Sequence, residues 1–583
     1  MKKLLLISLF LLTALLPGRA QTFQWNQQAG GPGADEGRSV AVDEQGNAYV
    51  TGVFRGTATF GTTPNQVSLV STPPTSGTVA TADVFLAKYA PSGTLLWARR
   101  GGGPGTEEAN SVALDAQGGA TVIGSFSGAA TFQTGGPSTM PVLTSAGADD
   151  LFLVKYDATG ALLWARSIGS ASTSAESGYA VATDSVGNSY ITGEFRDTPV
   201  FGGGTATLNS AGATDVVVAK YSPVGTLLWA RRGGSSETDA GRAIAVDRTG
   251  ACVVTGSFRG TATFEGAEGS IPVVIRARSG SAAAFVVKYD ANGAPLWGRV
   301  GYGPGVVIGR GICTDRRKDI YLMTYFNDAL TLTNTPTDSV QLATTANNRD
   351  VVVVKYSPQG TVLWTRPAGG PALDTGINIA ADAQNNVYAL SYFQQTISFP
   401  TGTSGGTPLT ATAAGVSDAV VASYTAAGTL RWLRRLGGPA DDLGYGVAPD
   451  AAGNLVLTGY FTGGPFTADG SLPLTSQPTN VRDVFVARLQ NILAGTSSAS
   501  AQLAADLSAW PNPAANQLTV QLNSRRPATA ALFDGLGRQV QALHFLPEGN
   551  GQRAVVSLEG LAAGLYVVRV SSEMASASLR IVH

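Results

Sequence analysis

Apolar and polar positions along this chain fall into short runs that come in sets of four. Residues 39–100 hold "SVAVD" (39–43), "NAYVTGVF" (47–54), "DVFLAKY" (83–89) and "TLLWARR" (94–100). Each run is short and rich in β-branched and aromatic residues, which predicts a strand. The first joint reads "DEQGN" here and "DAQGG", "DSVGN", "DRTGA", "DRRKD", "DAQNN" and "DAAGN" further on. In these turns Asp bonds the backbone ahead, and Gly or Asn takes positive φ. The last joint is a tetrad such as "APSG", "DATG", "SPVG" or "SPQG". Both are hairpin connections, so each set is a four-stranded antiparallel meander. The link between the second and third runs is long, as in "RGTATFGTTPNQVSLVSTPPTSGTVATA", and is expected to hold one or two extra strands.

The set recurs along the chain. Its marker is Trp at 25, 97, 164, 229, 297, 364 and 432, with steps of 72, 67, 65, 68, 67 and 68 residues. Four-stranded sheets repeated at about 67 residues predict an all-β, seven-bladed β-propeller. The ends support closure. "FQWNQ" (23–27) is a Trp strand with nothing before it, and the seventh set stops at "DVFVARLQN" (483–491) without one. The N-terminal strand is expected to complete the last blade and hide its edge. On this reading Trp25, Trp97, Trp164, Trp229, Trp297, Trp364 and Trp432 pack between neighbouring sheets. The Arg two positions on (Arg99, Arg166, Arg231, Arg299, Arg366, Arg434) is expected to pair across the hairpin with the Asp that opens the third strand.

The chain reads as a signal peptide at 1–20, the propeller at 21–490, a small polar linker at 491–505 and a different domain at 506–583. The leader "MKKLLLISLFLLTALLPGRAQ" places two lysines before an apolar run too short to span a bilayer, with small residues at Gly18 and Ala20. No Cys follows the cleavage point, against a lipid anchor. The C-terminal part alternates apolar positions around DG and GLG turns, which suggests a small β-sandwich.

Composition narrows the chemistry. Charged residues make up 14% of the 583, against roughly 25% in typical globular chains, and the net charge of −1 supplies no field for nucleic acid or an anionic membrane. The two histidines, His544 and His583, both lie in the tail, so the propeller can build no His-based triad, general base or His-ligated metal site. Carboxylate chemistry remains open. Cys252 and Cys313 sit in adjacent repeats, where a disulfide or two buried thiols are both allowed.

Acids recur in three sets. The turn aspartates Asp43, Asp115, Asp184, Asp247, Asp315, Asp382 and Asp450 suit a backbone-bonding role. Asp83, Asp150, Asp215, Asp350, Asp418 and Asp483 open the third strand, with Ala284 in unit four. Asp35, Glu107, Glu176, Asp239, Asp374 and Asp442 lie eight residues before the turn Asp, with Val307 in unit five. This third set sits in the loops leading to each inner strand. It is expected to ring one face near the axis, where six acids can hold a cation such as calcium or meet a basic or sugar ligand. The alternative is that each acid caps its own loop or pairs with a nearby Arg. All three sets are near-symmetric, whereas acid–base catalysis needs two different environments.

The pattern "GG.G.D.G..VAVD..GN.YVTG.F" resembles the SBBP-type bacterial β-propeller repeat, a family of secreted proteins generally of unknown activity. In the tail, Trp510-Pro511-Asn512-Pro513, "GLGR" at 535–538, the Gly564-Leu565-Tyr566 step and the terminal apolar strand resemble the C-terminal sorting domain of the type IX secretion system in Bacteroidetes. That resemblance implies export across the outer membrane, handling by the type IX machinery, and release or attachment at the cell surface. Its motif residues here are Pro511, Asn512, Pro513, Gly564 and Tyr566; the ending "RIVH" departs from the basic terminal residue often seen. The expectation is a secreted or cell-surface, monomeric, non-catalytic propeller that needs no cofactor and binds a glycan, matrix or protein partner. The alternatives are a carboxylate-dependent polysaccharide hydrolase or lyase, and a purely structural matrix protein.

Overall fold

The computed structural model describes residues 23–583 except 75–80, 137–140, 174, 207, 279, 335–337, 345–347, 403–405, 469–472, 477–480, 491–506, 512–513, 515, 524–528, 535–538, 549–550 and 572–575. The leader, the linker, Asn512, Pro513 and the "GLGR" turn lie outside the described residues. Contacts divide the chain into a large unit, Phe23–Gln490, and a tail unit that runs from Asn491 to His583. The described residues contain strands and turns but no helix.

Blade 1 is built from Glu36–Val42, Ala48–Arg55, Ala82–Tyr89 and Leu95–Gly102, each antiparallel to the next. Six further blades repeat this order, with inner strands Glu107–Leu114, Ser177–Thr183, Ala240–Val246, Val307–Thr314, Asp374–Ala381 and Leu443–Pro449. Blade 7 takes its outer strand from the other end of the unit: Phe23–Ala29 pairs antiparallel with Arg482–Leu489. Each inner strand packs on the next, and the seventh packs on the first, so the ring is closed. The apolar cores lie between blades. One cluster, for example, joins Tyr49, Val84 and Trp97 of blade 1 to Val112, Phe126 and Phe152 of blade 2.

The long second link of each blade reaches back to the previous blade. In blade 2 it extends the second strand to Ala120–Phe132, and Phe132 pairs with Gly101 of blade 1. The same stitch joins Ile168 to Phe201, Gly233 to Phe264, Gly301 to Leu332 and Leu436 to Ala468. Single bridges, Gly30 to Thr59 and Gly369 to Ser398, complete the seven seams.

The recurrent Trp also crosses the seam. Trp97 Nε1 donates to Ala158 O of blade 2 (3.3 Å), and the indole lies on Gly160, whose φ of 81° suits glycine. Trp25, Trp164, Trp229, Trp297 and Trp364 repeat the bond to Pro91, Pro223, Ala291, Pro358 and Ala426. At Trp432 the next blade has no hairpin between its last two strands, which come from opposite ends of the unit. There Trp432 Nε1 and Arg434 Nε find no hydrogen-bond partner among the described residues.

The predicted cross-strand ion pair uses a different arginine. Arg99 stacks on Trp97 and donates from Nε to Gly160 O (2.8 Å), as Arg166, Arg231, Arg299 and Arg366 do at their own seams. The partner of Asp83 is Arg100 (3.4 Å); Arg232 pairs with Asp215 (3.7 Å) and Arg435 with Asp418 (2.5 Å). Side chains alternate along a strand, so Arg99 shares the face of Trp97 while Arg100 shares that of Asp83.

The turn aspartates behave as predicted. Asp43 Oδ1 accepts from Gln45 N (3.1 Å) and Asn47 N (2.8 Å). The other oxygen faces a buried lysine of the third strand: Lys88 to Asp43 (3.6 Å), Lys155 to Asp115 (2.8 Å), Lys288 to Asp247 (3.2 Å). Blade 6 carries Ser423 in place of that lysine, and Asp382 takes Asn386 and Tyr388 instead. Cys252 and Cys313 are free thiols, and burial pushes the Cys252 thiol up to about 12.

The tail unit has two four-stranded sheets. One orders Leu507–Trp510, Gln517–Leu522, Gly551–Ser557 and Leu546–Glu548; the other orders Gln539–Leu543, Thr529–Phe533, Leu565–Ser571 and Ser576–Val582. Leu518, Val520 and Val556 of the first meet Leu532, Val568 and Ile581 of the second in one core. Pro511 is exposed, Gly564 exchanges backbone bonds with His583 (2.9 and 3.0 Å), and Tyr566 OH donates to Ala562 O (2.8 Å).

Candidate functional site: the central channel

The six acids expected to ring the axis are turned into the seams. Asp35, Glu107, Glu176, Asp239, Asp374 and Asp442 are all buried. Five of them cap backbone, mostly in their own loops. Asp35 accepts from Gly31 N (2.8 Å) and Arg55 N (3.0 Å), Glu107 from Gly103 N (2.9 Å), and Asp442 from Gly438 N (2.6 Å) and Thr462 N (3.0 Å). Glu176 and Asp239 add a serine hydroxyl, Ser170 Oγ (2.7 Å) and Ser235 Oγ (2.8 Å). Among the described residues, no group of three His, Cys, Asp or Glu is placed to hold a metal ion. The ring therefore offers no surface to a ligand, because the loop amides need these carboxyls as acceptors.

Instead, the structure brings the second and third acid sets together. Five third-set acids feel the charge of a second-set acid from the blade before: Asp35 that of Asp483, Glu107 of Asp83, Glu176 of Asp150, Asp374 of Asp350 and Asp442 of Asp418; at the sixth seam Asp215 feels Asp239. Glycine makes room for them: a Cβ at Gly30 would collide with Asp483 and meet Asp35 at 2.9 Å, and one at Gly102 would collide with Asp83. Burial, with the neighbouring acid in support, pushes Asp35, Glu107 and Asp374 up to about 8. The two gaps in the sequence pattern meet at one seam. Ala284 of blade 4 and Val307 of blade 5 share an apolar cluster with Leu330 and Leu332. Leu330 stands where blades 1, 2 and 4 have Ala58, Ala130 and Ala262.

What faces the axis is a different position, five residues before each turn Asp. It reads Arg38, Asn110, Tyr179, Arg242, Arg310, Ile377 and Tyr445 around the ring. With Glu36 and Glu108 these side chains line a central cavity of about 460 Å³ to which all seven inner strands contribute. Two residues further along, every blade presents Val or Ile (Val40, Val112, Val181, Ile244, Ile312, Ile379, Val447). Six of these, all but Ile379, line the cavity, which thus has an apolar waist and an irregular polar mouth. A larger depression, about 740 Å³, lies on the rim of blade 4 and involves that blade and one neighbouring insertion.

The mouth has two electrostatic halves. On blades 1 and 2, Arg38 donates to Glu108 (2.8 Å) and Asn110 Oδ1 (2.9 Å) and lies 3.4 Å from Glu36, which also takes Arg482 (2.5 Å). Two carboxylates meet two guanidinium groups there. On blades 3 to 5, Arg242 lies 4.0 Å over the Tyr179 ring, whose hydroxyl donates to Glu194 (2.8 Å), and Arg310 lies 5.9 Å from the Tyr325 ring. On blade 7, Tyr445 packs 5.9 Å from Tyr460, which carries Arg482 at 4.3 Å.

Residues 508–583 match the family described as the secretion system C-terminal sorting domain, and residues 24–53 match the family described as the beta-propeller repeat. The chain is a propeller-repeat protein with a secretion sorting tail. The sorting domain puts it outside the cell, exported by the type IX route to the surface or the medium. No helix among the described residues is long and apolar enough to cross a membrane. An uncharacterized WD repeat-containing protein of Acanthamoeba polyphaga mimivirus is 24% identical over 401 residues, which is 59% of this chain; the chain spans 28% of that relative's length. The calcium-binding protein regucalcin of Agrobacterium tumefaciens aligns at a TM-score of 0.26 with 8% identity, covering 65% of this chain and 90% of its own. A streptogramin B lyase aligns at 0.24 with 8% identity, covering 66% and 93%. Likenesses this slight say nothing of chemistry.

The irregular ring escaped the sequence reading because a search for repeats rewards sameness. Aligning the seven inner strands on the turn Asp and asking which variable position faces the axis would have found it.

Proposed function

We propose that this protein is a non-catalytic binding scaffold of the cell surface, a monomer delivered by the leader at 1–20 and the sorting tail. Its ligand, a glycan or matrix component, binds at the mouth of the central channel. The observation that carries this reading is the irregular, largely polar ring that a repeated scaffold places at its axis. A symmetric scaffold that varies where all seven blades converge is built for a single ligand.

The same geometry argues against hydrolysis by paired carboxylates. The acids of the seams are buried, and those of the channel, Glu36 and Glu108, are both ion-paired to Arg38, with Arg482 also on Glu36, so neither stands apart from a guanidinium. Acid–base cleavage needs two carboxyls held differently. The test is a panel of bacterial and plant polysaccharides incubated with the full-length protein, read for binding by calorimetry and for turnover by new reducing ends. Binding without reducing ends is expected. Turnover that vanishes in Glu108→Gln would replace the scaffold with a hydrolase or lyase, and a blank in both readouts would leave a structural role.

A further inference from the structure

We infer that the ligand of the central channel carries an oxyanion, a carboxylate or sulfate on a saccharide, and that Arg242 and Arg310 hold it. This rests on the reading of the protein as a surface binding scaffold and names the chemistry of its ligand.

The charges around the cavity do not cancel locally. Arg38 and Arg482 are matched by Glu36 and Glu108. Arg242 and Arg310 line the same cavity from adjacent blades, yet among the described residues neither guanidinium has an ion pair or hydrogen bond; each lies over a tyrosine ring. The Nε of each is buried and has no acceptor among the described residues, which leaves the outer nitrogens of the guanidinium to meet a ligand. A buried N–H without an acceptor is costly, and a guanidinium is best satisfied by a planar or tetrahedral oxyanion that takes two of its donors. The structure thus leaves two guanidinium groups on the cavity wall, whose outer nitrogens a ligand can reach.

The rest of the cavity sets the size and kind of molecule. About 460 Å³ falls within the range of small-ligand pockets, roughly 300–1,000 Å³, and suits the end of a sugar chain. The Tyr179 ring is fixed through its hydroxyl on Glu194 and stiffens the Arg242 side of the wall, while Tyr445 offers a second aromatic surface across the channel. Two unmatched arginines are too few for a nucleic-acid backbone, whose binding draws on many phosphate contacts.

The experiment titrates the full-length protein with an oligogalacturonate, a sulfated oligosaccharide and a neutral oligosaccharide of equal length, at low and high salt. Melting curves of every variant confirm folding. The expected result is binding of one or both acidic ligands, weakened by salt, with the neutral one at least about tenfold weaker. Arg242→Gln/Arg310→Gln should lose about ten- to a hundredfold in affinity, and Arg242→Lys/Arg310→Lys, which keeps charge but not the fork, should fall between. The carboxylate and sulfate arms tell which oxyanion is used. Equal binding of the neutral ligand, an unaffected double variant, or no binding of either acidic ligand overturns the inference. Neutral binding alone leaves the scaffold standing, whereas new reducing ends would remove the scaffold reading whatever the charge of the ligand.

Discussion

The seam between blades 4 and 5 is a ready-made control for the six acid pairs, and it predicts what happens when a pair is removed. Asp350 of blade 5 and Asp374 of blade 6 are both buried, and the outer strand there carries Pro367 where other blades supply Arg100, Arg232 or Arg435. Ile397 already stands at the place of Leu330. Asp350→Ala/Asp374→Val therefore copies the Ala284–Val307 seam. Truncating Asp350 alone leaves a buried carboxyl beside a cavity and should cost about 1–3 kcal/mol. Replacing both acids should cost clearly less than the two single changes added together, because an apolar pair of fitting shape carries no desolvation penalty, while Asp350 gives up a partner of its own.

The pH profile sharpens this test. Burial, then the charge of Asp350, pushes Asp374 from 3.8 up to about 8. Between those values the folded protein holds a proton that the unfolded chain has released, so stability falls as pH rises through the window. The group carries no penalty below pH 4 and its full penalty above about 8, on the order of 5 kcal/mol for a rise of this size. Thermal melts of the propeller from pH 5 to 8.5 should slope downward for the parent and less steeply for the double variant. A double variant as damaged as the sum of its singles, or an unchanged slope, would refute the pairing.

Three further outcomes follow from the seams and turns. Gly160→Ala puts a Cβ at a φ of 81° and 2.9 Å from the Trp97 ring, and should lower stability by about 1–3 kcal/mol in thermal melts, whereas Gly136→Ala, with open space around it, should be silent. Lys155→Met strands the Asp115 carboxylate, now 2.8 Å from the ammonium, and should cost about 3–5 kcal/mol, read by denaturant titration. Deleting Phe23–Ala29 exposes the Arg482–Leu489 edge and should produce a large drop in melting temperature with concentration-dependent association by light scattering.

Much of this architecture was legible because it is repeated. Trp and turn-Asp spacing, each a local signal seen seven times, pointed to seven blades, and the single unpaired first strand pointed to their closure. The acid sets were visible but not their pairing. Asp83 and Glu107 belong to different repeats, and only the packing of one blade on the next joins them; for the same reason Ala284 and Val307 looked like two exceptions when they are one. The Arg99 pairing failed on strand parity, which a single residue reverses. Arg242 and Arg310 were invisible because nothing periodic marks them.

The most direct measurement is a structure of the full-length protein bound to the tightest saccharide of the panel. The account predicts intact ligand in the central channel, in contact with Arg242 and Arg310 and with residues from several inner strands. Ligand on the blade 4 rim with the channel empty, or a cleaved product beside Glu36 and Glu108, would contradict it.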